Sequence, residues 1–278
     1  MLDVDGIVAK MDEVGVDKIA FIPAINDPIE TNPERLLKLM RVLMRGGATT
    51  RRAAELAHKA TIAKDGNLWL GGKLIKLYPQ PDNDPVAKIV EAHPDRFLGW
   101  IFLNPRDNPK VLDQLEQYRS IKGMVGVKLH PHWHDYETER LDPILGRCEE
   151  LGLPVLIHFG FSKGGNFRSI CRKFPRLVVI SAHAGFPFYD DLWVHAPECP
   201  NLYVDLSSPY IDEDLARAAV RAMGSERCLY GTDAPYGFHE ADGSYDYREI
   251  RSWVERLPVH ADKIDGILGG HFAELIGL

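Results

Sequence analysis

The sequence predicts an α/β fold in which parallel strands curl into a barrel, and three observations carry that expectation. Seven short apolar runs alternate with amphipathic segments along the chain. On five of these runs one face is apolar, as if packed on helices, while polar groups collect on the other. Those polar groups gather at the C-terminal end of each run, where a (β/α)8 TIM barrel assembles its site. A doubly wound sheet buries both faces and has no reason to repeat this on five strands. The 278 residues suit one barrel, which typically takes about 250. No repeat or Ser/Gly-rich linker divides residues 1–278, so a single domain is expected.

The first run is KIAFIP (18–23). Residues 31–93 then exceed what one crossover needs and read as a helical insertion of two or three helices, including 33–45 and 50–64. FLGWIFL (97–103) follows, and NPKVLDQLEQY (108–118) reads as a helix with an Asn cap and Pro at its first position. In MVGVKLH (124–130), alternation sets Met124, Gly126, Lys128 and His130 against Val125, Val127 and Leu129. The helix over 138–152 stops on Gly152. PVLIHF (154–159) places Leu156 and His158 opposite Val155, Ile157 and Phe159, and a helix over 166–174 follows. LVVISAH (177–183) groups Val179, Ser181 and His183 on the polar face. LYVDLS (202–207) groups Tyr203, Asp205 and Ser207, before a helix at 212–224. CLYGTD (228–233) groups Leu229, Gly231 and Asp233, before a helix at 246–257. Seven runs stand where a closed barrel wants eight. The barrel is therefore expected to be missing or distorted at its first strand, with the edges of KIAFIP and CLYGTD unpaired unless a helix or partner chain covers them.

Composition narrows the function classes. A net charge of −7 and a pI near 5.9 disfavour nucleic acid and anionic membrane as partners, since both reward a basic face. No run of 18 apolar residues suggests a membrane span, and acids occupy the N-terminus where a signal peptide carries bases, so a cytoplasmic location is expected. Cys148, Cys171, Cys199 and Cys228 match no metal or redox spacing and read as buried reduced thiols.

The chemistry lies in a convergent set: Lys128, His130, His158, His183, Asp205 and Asp233. Burying several ionisable groups around one mouth is costly unless they pair or bind a cation. Histidine with carboxylate suits Zn2+, or Mn2+ and Fe2+ where more oxygen ligands join. HPHWHDY spaces His130, His132 and His134 as an extended strand would to align them on a metal, while Pro131 favours a mouth loop touching substrate or solvent. GFSKGG (160–165) either offers backbone N–H groups to an anion or is a plain loop. Tyr236 and His239 follow Asp233 as pocket or surface residues, and His195 and His271 read as helical residues without a catalytic part.

The stretches GVDKIAFIP, GVKLHP, GLPVLIHFG, VISAHAG and LYGTDAP, in this order, resemble the amidohydrolase superfamily, in the amidohydrolase-related branch that includes aminocarboxymuconate semialdehyde decarboxylase. The resemblance implies a divalent metal, Zn2+ first and Mn2+ or Fe2+ as alternatives, held by an HxH pair on strand one, a His on strand five and an Asp on strand eight. The last two carry over to His158 and Asp233. The strand-six His carries over to His183, which in the family binds metal or polarises substrate. The resemblance thus implies His158, His183 and Asp233 as metal residues and Asp233 and His183 as catalytic ones, while their place at the mouth sets Lys128, His130 and Tyr236 toward a small-molecule substrate. No HxH precedes Met11–Gly15, so either the first strand is absent from this chain or half the metal site is lost. The leading expectation is a metal-dependent hydrolase of a small carboxylated ester, lactone or amide. The alternatives are a non-oxidative decarboxylase of an aromatic or muconate-type acid, and a catalytically impaired barrel serving as a binding protein. A homodimer is expected from the insertion and the need to cover an open edge.

Overall fold

In the computed structural model the described residues are all but 1–2, 30–33, 64, 71 and 242. The strands are β1 (Ile19–Phe21), β2 (Leu68–Leu70), β3 (Lys73–Ile75), β4 (Phe97–Phe102), β5 (Met124–Leu129), β6 (Val155–Ile157), β7 (Val179–Ser181), β8 (Leu202–Leu206) and β9 (Cys228–Tyr230). Seven of them form one parallel sheet in the order β1-β4-β5-β6-β7-β8-β9, each strand beside the next in sequence apart from the β2–β3 excursion. This is a TIM-barrel-like α/β fold short of one strand. Among the described residues β1 pairs only with β4 and β9 only with β8, so both edges stay open.

Helix boundaries follow local chemistry. Asp3 accepts from the Gly6 amide at the start of helix Val4–Val14, which ends on Gly15 at φ 69°. Asp212 caps helix Glu213–Met223 through the Leu215 amide, and Asn166 caps helix Phe167–Lys173 through that of Ser169. Helix Asp142–Leu151 stops at Gly152, and a 3-10 turn over Thr138–Leu141 replaces the first turn expected of it. The helix placed at 108–118 begins only at Val111, because Asn108 turns its side chain onto the Lys110 amide and holds Pro109 in a turn.

The insertion is only partly helical. Glu34–Arg45 and Ala48–Thr61 are helices, and Asp84–Ala92 is a third. Residues 31–33 and 64 of the expected segments lie outside the described residues. Between the helices β2 and β3 form an antiparallel hairpin that pairs Trp69 with Leu74. Two short apolar runs flanking Gly71-Gly72 were its signal.

The large core lies between the sheet's outer face and the helices. Val127, Leu129, Val155, Ile157, Val179 and Val204 are fully buried there. Each such side chain contributes about 1.5–3 kcal/mol of burial, so the outer face carries the stability and leaves the inner one free for other chemistry. The inner face holds a smaller cluster of Trp100, Leu156, Ile180, Ala182 and Leu229. Trp100 reaches across β5 at Gly126, where a Cβ would stand 2.5 Å from the indole and 2.6 Å from the Pro154 carbonyl. The C-terminal helical segment adds Phe272 and Leu275 to this cluster, the Phe272 ring 5.7 Å from Trp100, and His271 Nδ1 meets the Cys228 carbonyl of edge strand β9 at 3.3 Å. A helix thus covers part of the open edge.

Candidate active site

One cavity of about 2270 Å3 runs along the inner face of the sheet, from Val16 and Lys18 before β1 to the C-terminal ends of the strands, where it forms a chamber. Lys128, His130, His158, His183, Asp205 and Asp233 all line it. Lys128, His158 and Asp205 arrive as strand alternation dictates, on the same inner face as Leu156, Tyr203 and Leu229, and Asp233, past the end of β9, lines the same chamber. His183 does not arrive by alternation. On β7 the inner positions are Val178, Ile180 and Ala182, while Val179 lies in the outer core. Alternation alone would send His183 outward with Val179, so its grouping by strand phase needs correcting. A left-handed residue conformation at φ 55° turns it back into the mouth.

His183 has company in this conformation. Ala184 (φ 55°), Ser208 (φ 80°) and Asp233 (φ 61°) also adopt it, all at the ends of neighbouring strands. Non-glycine residues there cost on the order of 1–2 kcal/mol each and persist where the surroundings over-determine them.

Hydrogen bonds fix the His183 ring. Its Nδ1 lies 2.9 Å from Ser207 Oγ. The Ser207 hydroxyl donates its one proton to Asp205 Oδ1 in a very short contact, so Nδ1 carries the proton toward Ser207. The lone pair is therefore on Nε2, which faces Asp233 Oδ2 at 3.9 Å. Asp205 Oδ1 also accepts the amides of His183 and Ser207, each at 3.1 Å. Asp205 was legible as inward-facing, yet its role as the group that orients His183 emerges only from these contacts.

His158 stands beside them, its ring 4.7 Å from His183 and edge-on to it. Among the described residues His158 Nε2 is buried without a hydrogen-bond partner. Burial, reinforced for His158 by neighbouring His130 and His132 and for His183 by Lys128, holds both rings well below the usual imidazole range, so both are neutral at pH 7. Burial also pushes Asp233 up to about 7, against opposing pulls from Ser208 and Lys128.

The HPHWHDY segment is neither an aligned strand nor a solvent-washed loop. Pro131–His134 forms one helical turn, and His132 and His134 are buried. His130 Nδ1 accepts from the Trp133 amide at 3.2 Å, which leaves its Nε2–H free to donate. His132 stacks on His158 at 4.6 Å and on His58 at 4.0 Å. His134 meets the Tyr78 carbonyl at 3.0 Å and supports the wall. His58 comes from the insertion, whose helix Ala48–Thr61 reaches the chamber there. Tyr210 closes the far side, stacked on Phe186 at 4.3 Å and on His183 at 5.7 Å. Tyr236 lines the chamber and donates to Asn26 at 2.9 Å. The glycine loop 160–165 spends the Gly160 and Gly164 amides on its own carbonyls, which argues for the plain loop.

Among the described residues no three His, Cys, Asp or Glu side chains already stand as an ion cage. The donor chemistry nevertheless fits a cation. His158 offers a buried nitrogen without a hydrogen-bond partner among the described residues, His183 an oriented lone pair, and Asp233 a carboxylate whose charge is disfavoured by burial and then by Asp205.

A family model described as amidohydrolase matches residues 31–262. No curated protein matches the sequence. Among solved structures, 5-carboxyvanillate decarboxylase from Sphingomonas paucimobilis is similar at 17% identity and a TM-score of 0.62, over 99% of this chain and 84% of that one. A 2,6-dihydroxybenzoate decarboxylase from Rhizobium is similar at 15% identity and a TM-score of 0.62, over 100% of this chain and 88% of that one. A dihydroxybenzoic acid decarboxylase from Polaromonas sp. JS666, with bound manganese and the inhibitor 2-nitroresorcinol, gives 16% identity and a TM-score of 0.62 over 100% and 87%.

Proposed function

Because the chain belongs to the amidohydrolase family, we propose that it is a divalent-metal-dependent, non-oxidative decarboxylase of an aromatic acid. The observation that carries this reading is the constellation of His158, His183 and Asp233 at one end of the sheet. The likeness to decarboxylases favours this lyase reading over the hydrolase first expected. His158, His183 and Asp233 would hold the ion, with Mn2+ ahead of Zn2+ because manganese occupies the Polaromonas enzyme. A bound divalent ion would supply positive charge to the substrate's oxygens.

The chain's own residues do the rest. Asp205 and Ser207 hold the His183 ring in one tautomer. The His130 Nε2–H donates toward the chamber, and Tyr236 bounds it. The aromatic wall at Tyr210, backed by buried Phe186, suits a flat substrate. Asp233 would face the ion as a carboxylate and is placed to relay a solvent proton to the substrate. As the ring–carboxylate bond breaks and CO2 leaves, the bonding pair stays on the ring carbon and takes a solvent proton that Asp233 relays.

The test is CO2 release from 2,6-dihydroxybenzoate and 5-carboxyvanillate by Mn2+-loaded protein, with metal content measured alongside. Release that Asp233→Asn abolishes supports the reading. Stoichiometric metal without release from any aromatic acid overturns it, and absence of both metal uptake and release points to the impaired barrel.

Residues 1–278 act as one catalytic unit in this reading, in the cytoplasm and as a homodimer. The half-exposed Leu39, Val42, Leu56, Trp69 and Leu74 of the insertion support the dimer. A monomer in sedimentation at micromolar concentration refutes that part.

A further inference from the structure

Lys128 sits midway along the chamber wall, beside Phe102 on β4 and Leu156 on β6. It is 5% exposed. Among the described residues its ammonium donates no hydrogen bond and joins no ion pair. Asp205 and Asp233 feel its charge without contacting it. Their own partners are elsewhere: Asp205 Oδ1 is taken by Ser207 and two amides, and Asp233 by Ser208. Three N–H donors on one buried cation are therefore unspent.

An unpaired buried ammonium is a costly feature, and a Met of similar length would avoid the cost. Its position adds a second difficulty. The neighbouring His158, His183 and Asp233 are the donors offered to a metal, and two cations side by side repel. An anion lying between them removes both difficulties at once. We propose that Lys128 is the anion subsite of the chamber, where its ammonium takes an organic carboxylate carried on a flat ring, and that it selects charged ligands over neutral ones of the same shape. The inference rests on the proposed function only for the ring. The carboxylate subsite requires neither the metal nor turnover.

The experiment compares benzoate with benzamide, which match in shape and differ in charge. Binding is measured by calorimetry at pH 6.5 on metal-free protein, for the wild type, Lys128→Met and Lys128→Arg, with thermal melts of each. The wild type is expected to prefer benzoate at least tenfold. Lys128→Met should lose that preference while keeping its affinity for benzamide, and Lys128→Arg should retain it. Lys128→Met should also melt no lower than the wild type, since it removes an unpaired charge. Equal binding of the two ligands by the wild type overturns the proposal, as does an undiminished preference in Lys128→Met. A Lys128→Met protein that melts well below the wild type also overturns it, by making Lys128 a structural residue. If Lys128→Met loses the preference but no aromatic acid is ever decarboxylated, the subsite stands and the proposed reaction falls.

Discussion

Replacing Asp233 with Asn should stabilise the metal-free protein more at alkaline pH than at acid pH. Burial raises the Asp233 carboxyl from 3.8 to about 7. Between those values the folded state holds a proton that the unfolded chain has released, so stability falls as pH rises. The slope is about 1.4 kcal/mol per pH unit and vanishes above the folded pKa. From pH 5 to pH 8 the loss is about 3 kcal/mol if the site stays dry. Because 26% of the side chain faces the chamber, water screens the charge and about 1–2 kcal/mol is expected. Asn is neutral throughout and escapes this term, while other titrating groups are shared by both proteins. Urea denaturation in chelator at pH 5 and pH 8 should show the variant's lead widening by that margin between the two pH values. Adding Mn2+ at pH 8 should reverse the order, because only the carboxylate gains a cation. Parallel pH curves for the two proteins would refute the placement of Asp233 in a desolvated site.

The remaining predictions concern the supports of the site. Ser207→Ala should free the His183 ring and weaken Mn2+ binding about 10–100-fold, read by metal titration with circular dichroism unchanged. Gly126→Ala should cost about 1–3 kcal/mol of stability in urea, since the added methyl meets both Trp100 and the Pro154 carbonyl. Tyr236→Phe loses its bond to Asn26 and should cost about 1 kcal/mol, measured the same way. In hydrogen exchange, amides of β1 and β9 should exchange faster than those of β6, because among the described residues each edge strand has a strand neighbour on one side only.

What the sequence determined by itself follows from local periodicity. Short runs rich in Val, Ile, Leu and Phe marked all seven parallel strands, and alternation on five of them came with the inward placement of Lys128, His158 and Asp205. Capping chemistry at Asp212 and Gly152 set helix ends to within a residue or so. Alternation is a rule of extended backbone, however, and it stops where the strand stops. His183 reaches the mouth through a left-handed turn, and Pro131–His134 winds into a helical turn, because in both places local backbone conformation overrides strand phase. The β2–β3 hairpin was hidden by reading a long insertion as helix throughout. The contacts that make the site specific join residues far apart in the chain. His58 stacks on His132 across 74 residues, and His183, Ser207 and Asp205 share a proton chain across about 24. Only tertiary packing decides such distances, since the energies that set them belong to surfaces brought together after each strand and helix has formed.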